Sequence, residues 1–237
     1  MGETAQRERI ELIDFLRGLS VVLMVCHHAL YDAVEFLGAP AWFFSNPIFN
    51  LLHYVFAGLF ILLSGVSSRF SHSNVKRGIK TLAVALVITL VTWYMGYIVR
   101  FGVLHLLGFS MLLYGLTRKV WERGETFATG LFRVLLIVAS ALAVKYVALP
   151  TDAFWMFGWY GADFASSDYF PIFPWVFVFL LGAWAGRYVL ERRLPTWFYA
   201  MKPTALSRVG RRSLVIYVLH QPVLYGVTMV VARLAKK

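Results

Sequence analysis

The sequence predicts an all-α, polytopic transmembrane helix bundle of about seven helices, with its amino terminus in the cytoplasm. Three observations predict it. Of 237 residues, 59% are hydrophobic and 15% charged, and the mean hydropathy is +0.68; a soluble domain carries about 25% charged residues. Long apolar runs recur along the chain, and none alternates in the manner of a strand. Lys and Arg collect in alternate connecting segments, as they do on the cytoplasmic side of a membrane protein.

A span needs about 20 apolar residues at 1.5 Å rise each. Candidate spans lie near 12–34, 48–70, 79–99, 102–118, 127–149, 171–190 and 212–233, the fourth being the shortest. No internal repeat and no long linker interrupts them, so 1–237 reads as a single membrane domain. The first span holds Asp14, Arg17, His27 and His28 and is not followed by a small-residue cleavage site, so it is expected to stay in the protein.

The segments placed inside are the amino terminus (Arg7, Arg9), the second loop (Arg69, Lys76, Arg77, Lys80), the fourth (Arg118, Lys119, Arg123) and the sixth. The sixth, around 187–212, carries Arg187, Arg192, Arg193, Lys202, Arg208, Arg211 and Arg212. The first loop and the loop 150–170 contain neither Lys nor Arg, and the latter carries Asp152, Asp163 and Asp168. Lys236 and Lys237 fall on the outer side and run against the pattern. The net charge of +11 is thus divided among loops, which fits membrane orientation and not a nucleic-acid-binding face. Cys26, the one cysteine, excludes an intrachain disulfide and is expected to be a small core residue.

Ionisable groups within a span cost about 2.5–3.5 kcal/mol each, so they face protein or a wet cavity. At about 100° per residue, Asp14, Arg17, His28 and Asp32 fall within roughly 60° of one another on the first helix. His27 points about 100° away from this stripe. Arg17 and His28 are about three turns, or about 16 Å, apart along the axis. His28 and Asp32 have i,i+4 spacing, which lets a carboxylate orient an imidazole as a general base requires. A purely structural His–Asp hydrogen bond is the competing explanation of that spacing.

Other spans add polar groups. His53, Ser64 and Ser67 share a face of the second, and His105 begins the fourth. Ser213, Tyr217 and His220 share a face of the seventh, with Pro222 following as a kink. No tight metal-ligand spacing occurs, so no metal is expected.

Several of these residues also carry a resemblance. Arg9-Ile-Glu-Leu-Ile-Asp14-Phe-Leu-Arg17-Gly18, leading to Met24-Val-Cys-His-His28, resembles the opening helix of the heparan-alpha-glucosaminide N-acetyltransferase-like family of bacterial integral membrane acyltransferases. Phe60-Ile-Leu-Leu-Ser64-Gly65 with Ser67, Ser68 and Arg69 is similar to its second helix. Gly102-Val-Leu-His105, Phe173-Pro174-Trp175 with Gly182, and Gly210-Arg-Arg-Ser213 to His220-Gln221-Pro222 continue the likeness in order. The spacing of Arg17 and His28 also resembles the arginine, ten residues, histidine motif of the broader membrane O-acyltransferase family.

The resemblance implies acyl transfer in a bacterial cytoplasmic membrane, with acetyl-CoA as co-substrate and a glycan or amino sugar as acceptor. By that likeness Arg17 serves the acyl-CoA end and His28 the transfer; the polar residues themselves then suggest Asp32 as the catalytic partner of His28, Asp14 and Arg69 beside Arg17 for CoA binding, and a substrate path past His53, Ser64, His105 and His220. The family's animal lysosomal member has its proposed catalytic histidine in the loop after the first helix, whereas residues 33–47 here contain none. The rival expectation is a small-solute or proton-coupled transporter, for which intramembrane Asp, Arg and His are equally natural. Against it stands the lack of the paired halves common in transporters.

Overall fold

The computed structural model describes residues 9–149 and 151–235. Arg7, Lys236 and Lys237, used above for orientation, lie outside the described residues. The elements are helical: α1 (Glu11–Leu37), α2 (Trp42–Ser45), α3 (Pro47–Arg69), α4 (Asn74–Tyr94), α5 (Val103–Trp121), α6 (Phe127–Tyr146), a 3-10 turn (Asp152–Phe157), α7 (Ile172–Leu190), α8 (Thr196–Tyr199), α9 (Ala205–Arg211) and α10 (Ser213–Ala235). Among the described residues the one β-type pairing is an isolated bridge between Phe101 and Tyr169. This is an all-helical membrane protein.

All seven expected spans exist as helices, but the count of membrane-crossing ones needs correction. Among the described residues, five helices (α1, α3, α6, α7 and α10) are long and apolar enough to cross a bilayer. The 21-residue α4 and 19-residue α5 are not among them. Lys76, Arg77 and Lys80 occupy the first turns of α4, and the helix ends at Tyr94, short of the expected 99, where Gly96 turns the chain at φ 83°. α5 carries Arg118 and Lys119 in its last turn. Charge at one end of each helix shortens its apolar length.

Local chemistry sets several boundaries. The hydroxyls of Ser73, Thr126 and Thr204 accept from backbone N–H groups at the starts of α4, α6 and α9. Gly38, at φ 71°, ends α1 in the left-handed conformation that glycine adopts without strain.

The chain divides into two compact units, residues 1–60 with 194–237, and 61–193. In the first, α9 packs on α1 through Gly18 and Gly210. A Cβ on Gly18 would overlap the Leu206 carbonyl, and one on Gly210 the Asp14 carbonyl. Small residues give membrane helices this close backbone approach. In the second unit the end of α3 meets α7 in the same manner. A Cβ on Gly65 would strike the Phe179 carbonyl, and one on Gly182 the Leu62 carbonyl. Ile61, Leu106, Tyr114 and Phe179 are buried in this unit, and the Tyr114 and Phe179 rings meet edge-on at 6.3 Å.

The second unit also holds a charged cluster. Arg69 donates to both oxygens of Glu125, at 3.3 and 2.9 Å, and pairs with Glu122 at 3.0 Å. Tyr114 Oη donates to Glu122 at 2.6 Å, as does Arg118 Nε at 2.7 Å. Buried Arg133 lies 3.8 Å from Glu125 and donates to the Thr129 and Trp121 carbonyls. Burial pushes the Glu125 carboxyl above the ordinary carboxylate range, against the pull of Arg69 and Arg133. Cys26, expected in a core, is exposed on α1; an apolar run in a membrane helix does not distinguish a lipid-facing position from a protein-facing one.

Candidate active site

The first unit collects most of the polar residues singled out in the sequence. Near the start of α1, Arg17 Nη1 donates to Asp14 Oδ1 at 2.8 Å. Arg211 of α9 ion-pairs with Glu11 and approaches Asp14 Oδ2 at 3.5 Å. The α1–α9 crossing thereby becomes a small charge network, with Arg17 already holding a carboxylate. Arg208 and Arg212, on the same segment as Arg211, are exposed.

Three turns further along, α1 and α10 face each other through two polar rungs. His28 and His220 form the first, their ring centroids 4.9 Å apart and nearly perpendicular. Asp32 and Gln221 form the second, Gln221 Nε2 donating to Asp32 Oδ1 at 2.9 Å. Asp32 is 1% exposed. His27 lies beside the first rung, 5.8 Å from His28 between centroids. It meets His53 of α3 edge-on at 4.2 Å and Phe44 of α2 at 5.4 Å.

The expected Asp32–His28 hydrogen bond is not formed. His28 Nδ1 instead lies 3.0 Å from the Met24 carbonyl, one turn back on its own helix. A carbonyl only accepts, so Nδ1 carries the proton of the neutral ring and the Nε2 lone pair is left available. His220 Nδ1, 2.6 Å from the Tyr217 carbonyl, is fixed in the same tautomer. Backbone carbonyls therefore do the orienting that the sequence assigned to a carboxylate.

Arg69, Ser64 and His105 belong to the other unit. Arg69 is committed to Glu122 and Glu125, which its position in a basic loop did not reveal. Ser64 is buried on α3, and its carbonyl accepts from Ser68. His105 is a local structural element: Gly102 N–H donates to its Nδ1 at 3.3 Å, and its Nε2 lies 3.2 Å from Thr89 Oγ1, which donates to the Val99 carbonyl. Both ring nitrogens are used to start α5 and tie it to α4. His105→Ala should lower stability by about 1–3 kcal/mol, chiefly because the buried Gly102 N–H loses its acceptor. Thermal unfolding of the purified variant checks this.

Two members of the cluster escaped sequence reading. His27 points away from the charged stripe, and only the position of α3 reveals its partner His53. Gln221 was visible only within the His220-Gln221-Pro222 run. Among the described residues, no group of three or more His, Cys, Asp or Glu side chains could hold a metal ion.

Residues 9–222 match the family model described as heparan-alpha-glucosaminide N-acetyltransferase, catalytic. The chain belongs to this family. The match begins just before α1 and ends at Pro222, so it takes in both polar rungs. No curated protein and no solved structure matches the chain. Family membership and the five apolar helices make it a multi-pass membrane acetyltransferase.

Proposed function

We propose that this acetyltransferase moves an acetyl group from cytoplasmic acetyl-CoA to an amine or hydroxyl of a sugar or glycan at the extracytoplasmic face of a bacterial cytoplasmic membrane. The observation that carries the reading is the state of His28. Its Nδ1–H is held by the Met24 carbonyl, leaving Nε2 as a base within a polar cluster on an apolar helix. A general base needs an available ring-nitrogen lone pair, and the neighbouring His220 has its Nδ1 on a backbone carbonyl in the same way.

The donor end is proposed to lie toward the Arg17 end of α1. Arg17 and Asp14 are already paired, and Arg69 is neutralised elsewhere. The exposed Arg208 and Arg212 are therefore assigned, with Arg17, to the CoA phosphates. His28 Nε2 takes a proton from the acceptor nitrogen or oxygen, which forms a bond to the thioester carbonyl carbon. The carbon–sulfur bond then breaks, and the CoA thiolate leaves and receives the proton from His28. The net change is one acetylated acceptor and one free thiol.

Incubation of the purified protein with labelled acetyl-CoA and a panel of amino sugars and glycans tests the reading. Label should pass to at least one acceptor as CoA thiol appears. Transfer to none of them, with solute uptake by reconstituted vesicles, would favour a transporter instead.

A further inference from the structure

From Arg192 to Lys237 the chain contains no Asp or Glu. The cations that precede α10 therefore meet carboxylates only on other elements, and the start of α1 supplies Glu11 and Asp14. Arg211 pairs with Glu11 and lies 3.5 Å from Asp14. Lys202, Arg208 and Arg212 are exposed and form no ion pair among the described residues.

The depth of this charge is set by α1. α9 packs against Asp14 and Gly18, about 5–10 Å along an axis that starts at Glu11. With 27 residues, α1 is about 40 Å long, and a headgroup layer occupies about 5–7 Å at each end of such a length. α9 therefore lies at headgroup level and not out in the aqueous phase. Gly210 is the residue of α9 that meets the α1 backbone. At about 100° per residue, Arg208 and Arg212 are about 40° apart and roughly opposite Gly210. They point away from α1 together, at a spacing that lets two guanidinium forks share one phosphate. Apolar surface adjoins them. Leu214 and Val215, at the start of α10, are 46% and 58% exposed, and Trp197 of α8 is 66% exposed. An exposed tryptophan beside a span settles at the membrane interface.

We propose that the outward face of α9 binds the headgroup of an anionic phospholipid in the leaflet on the amino-terminal side, with Arg208 and Arg212 holding its phosphate. Lys202, on the same connecting segment, adds to the local positive potential, and Trp197 anchors α8 in the same interface. A zwitterionic lipid has the same phosphate but cancels it with its own cation, so the face selects by net charge. CoA phosphates share this chemistry, so the lipid competes with the CoA end for the two arginines. Only that competition rests on the transferase reading; the lipid site does not.

The purified full chain, reconstituted in phosphatidylcholine vesicles with a trace of spin-labelled phosphatidylglycerol or spin-labelled phosphatidylcholine, tests the site through the fraction of each label immobilised at the protein. One cation near an anionic headgroup is worth about fivefold in association. The wild type should therefore hold phosphatidylglycerol at least about tenfold more strongly than phosphatidylcholine. Arg208→Gln with Arg212→Gln should bring the two labels to within about twofold of each other. Lys119→Gln with Arg123→Gln removes the same charge from exposed positions elsewhere and should leave the preference in place. A wild type without preference overturns the proposal. Equal loss in both double variants does so too, because the charge would then act as a diffuse potential. Acetyl-CoA binding that depends on Arg208 and Arg212, with no lipid preference in the wild type, would assign the pair to CoA alone. A lipid preference that needs the two arginines, in a protein that transfers no acetyl group, sustains the lipid site and removes only the transferase reading.

Discussion

His28→Ala is expected to reduce acetyl transfer by about 10²- to 10⁴-fold, the usual contribution of a positioned general base, while leaving the protein folded. The size of the loss follows from which ring nitrogen is available. The Met24 carbonyl fixes the proton on Nδ1, so removing the ring removes the Nε2 lone pair assigned to the acceptor proton, and solvent is a poor replacement within an apolar span. The loss should appear in kcat with little change in acetyl-CoA KM, because His28 acts on the acceptor and the Arg17 end holds the donor. His220→Ala should fall in the same direction by less, since it removes the ring against which His28 packs. Steady-state rates, with thermal unfolding as the folding control, check both. A His28→Ala enzyme at full rate would contradict the assignment.

The second large effect is on stability. Glu125→Ala should destabilise the protein by about 3–5 kcal/mol, because it strips a carboxylate from buried Arg133 and from Arg69 and leaves cationic charge uncompensated. A buried ion pair contributes little relative to apolar packing, yet breaking one side of it is expensive. Glu125→Leu combined with Arg133→Met should therefore recover much of the loss, as Glu122 still holds Arg69 and Arg118. Unfolding of the single and double variants in the same detergent separates the two effects. A double variant no better than Glu125→Ala would show that the cluster stabilises by more than charge compensation.

What the sequence disclosed follows from the reach of its signals. Helical periodicity is local, so it placed Asp14, Arg17, His28 and Asp32 on one face of α1 without knowledge of any other helix. It could not show that Gln221 takes Asp32, because that contact depends on how α10 packs. It also assigned His28 to the nearest suitable carboxylate, whereas the backbone carbonyl one turn back satisfied Nδ1 first. His27 points away from the stripe, and His53 stands in that direction on a helix whose position the sequence does not show. Arg69 looked like free charge because loop arginines were read by sign; Glu122 and Glu125, carried by the α5–α6 connection, cancel it. His105 looked like a lining residue because a histidine that starts a helix and one that faces a cavity are identical in sequence. The extent of the helices was legible from apolar length, but the charges at the ends of α4 and α5 cost two of the seven expected spans.

One molecule is expected to couple acetyl-CoA on the side of the amino terminus to an acceptor on the other side through His28, and sealed vesicles containing the reconstituted protein test this. Labelled acetyl-CoA is supplied to the amino-terminal side and D-glucosamine to the opposite side, and both products are counted. Labelled N-acetylglucosamine on the acceptor side and free CoA on the donor side are expected in equal amounts, both abolished by His28→Ala. Release of CoA with acetate in place of acetylated sugar, or equal product from the His28→Ala vesicles, would contradict it.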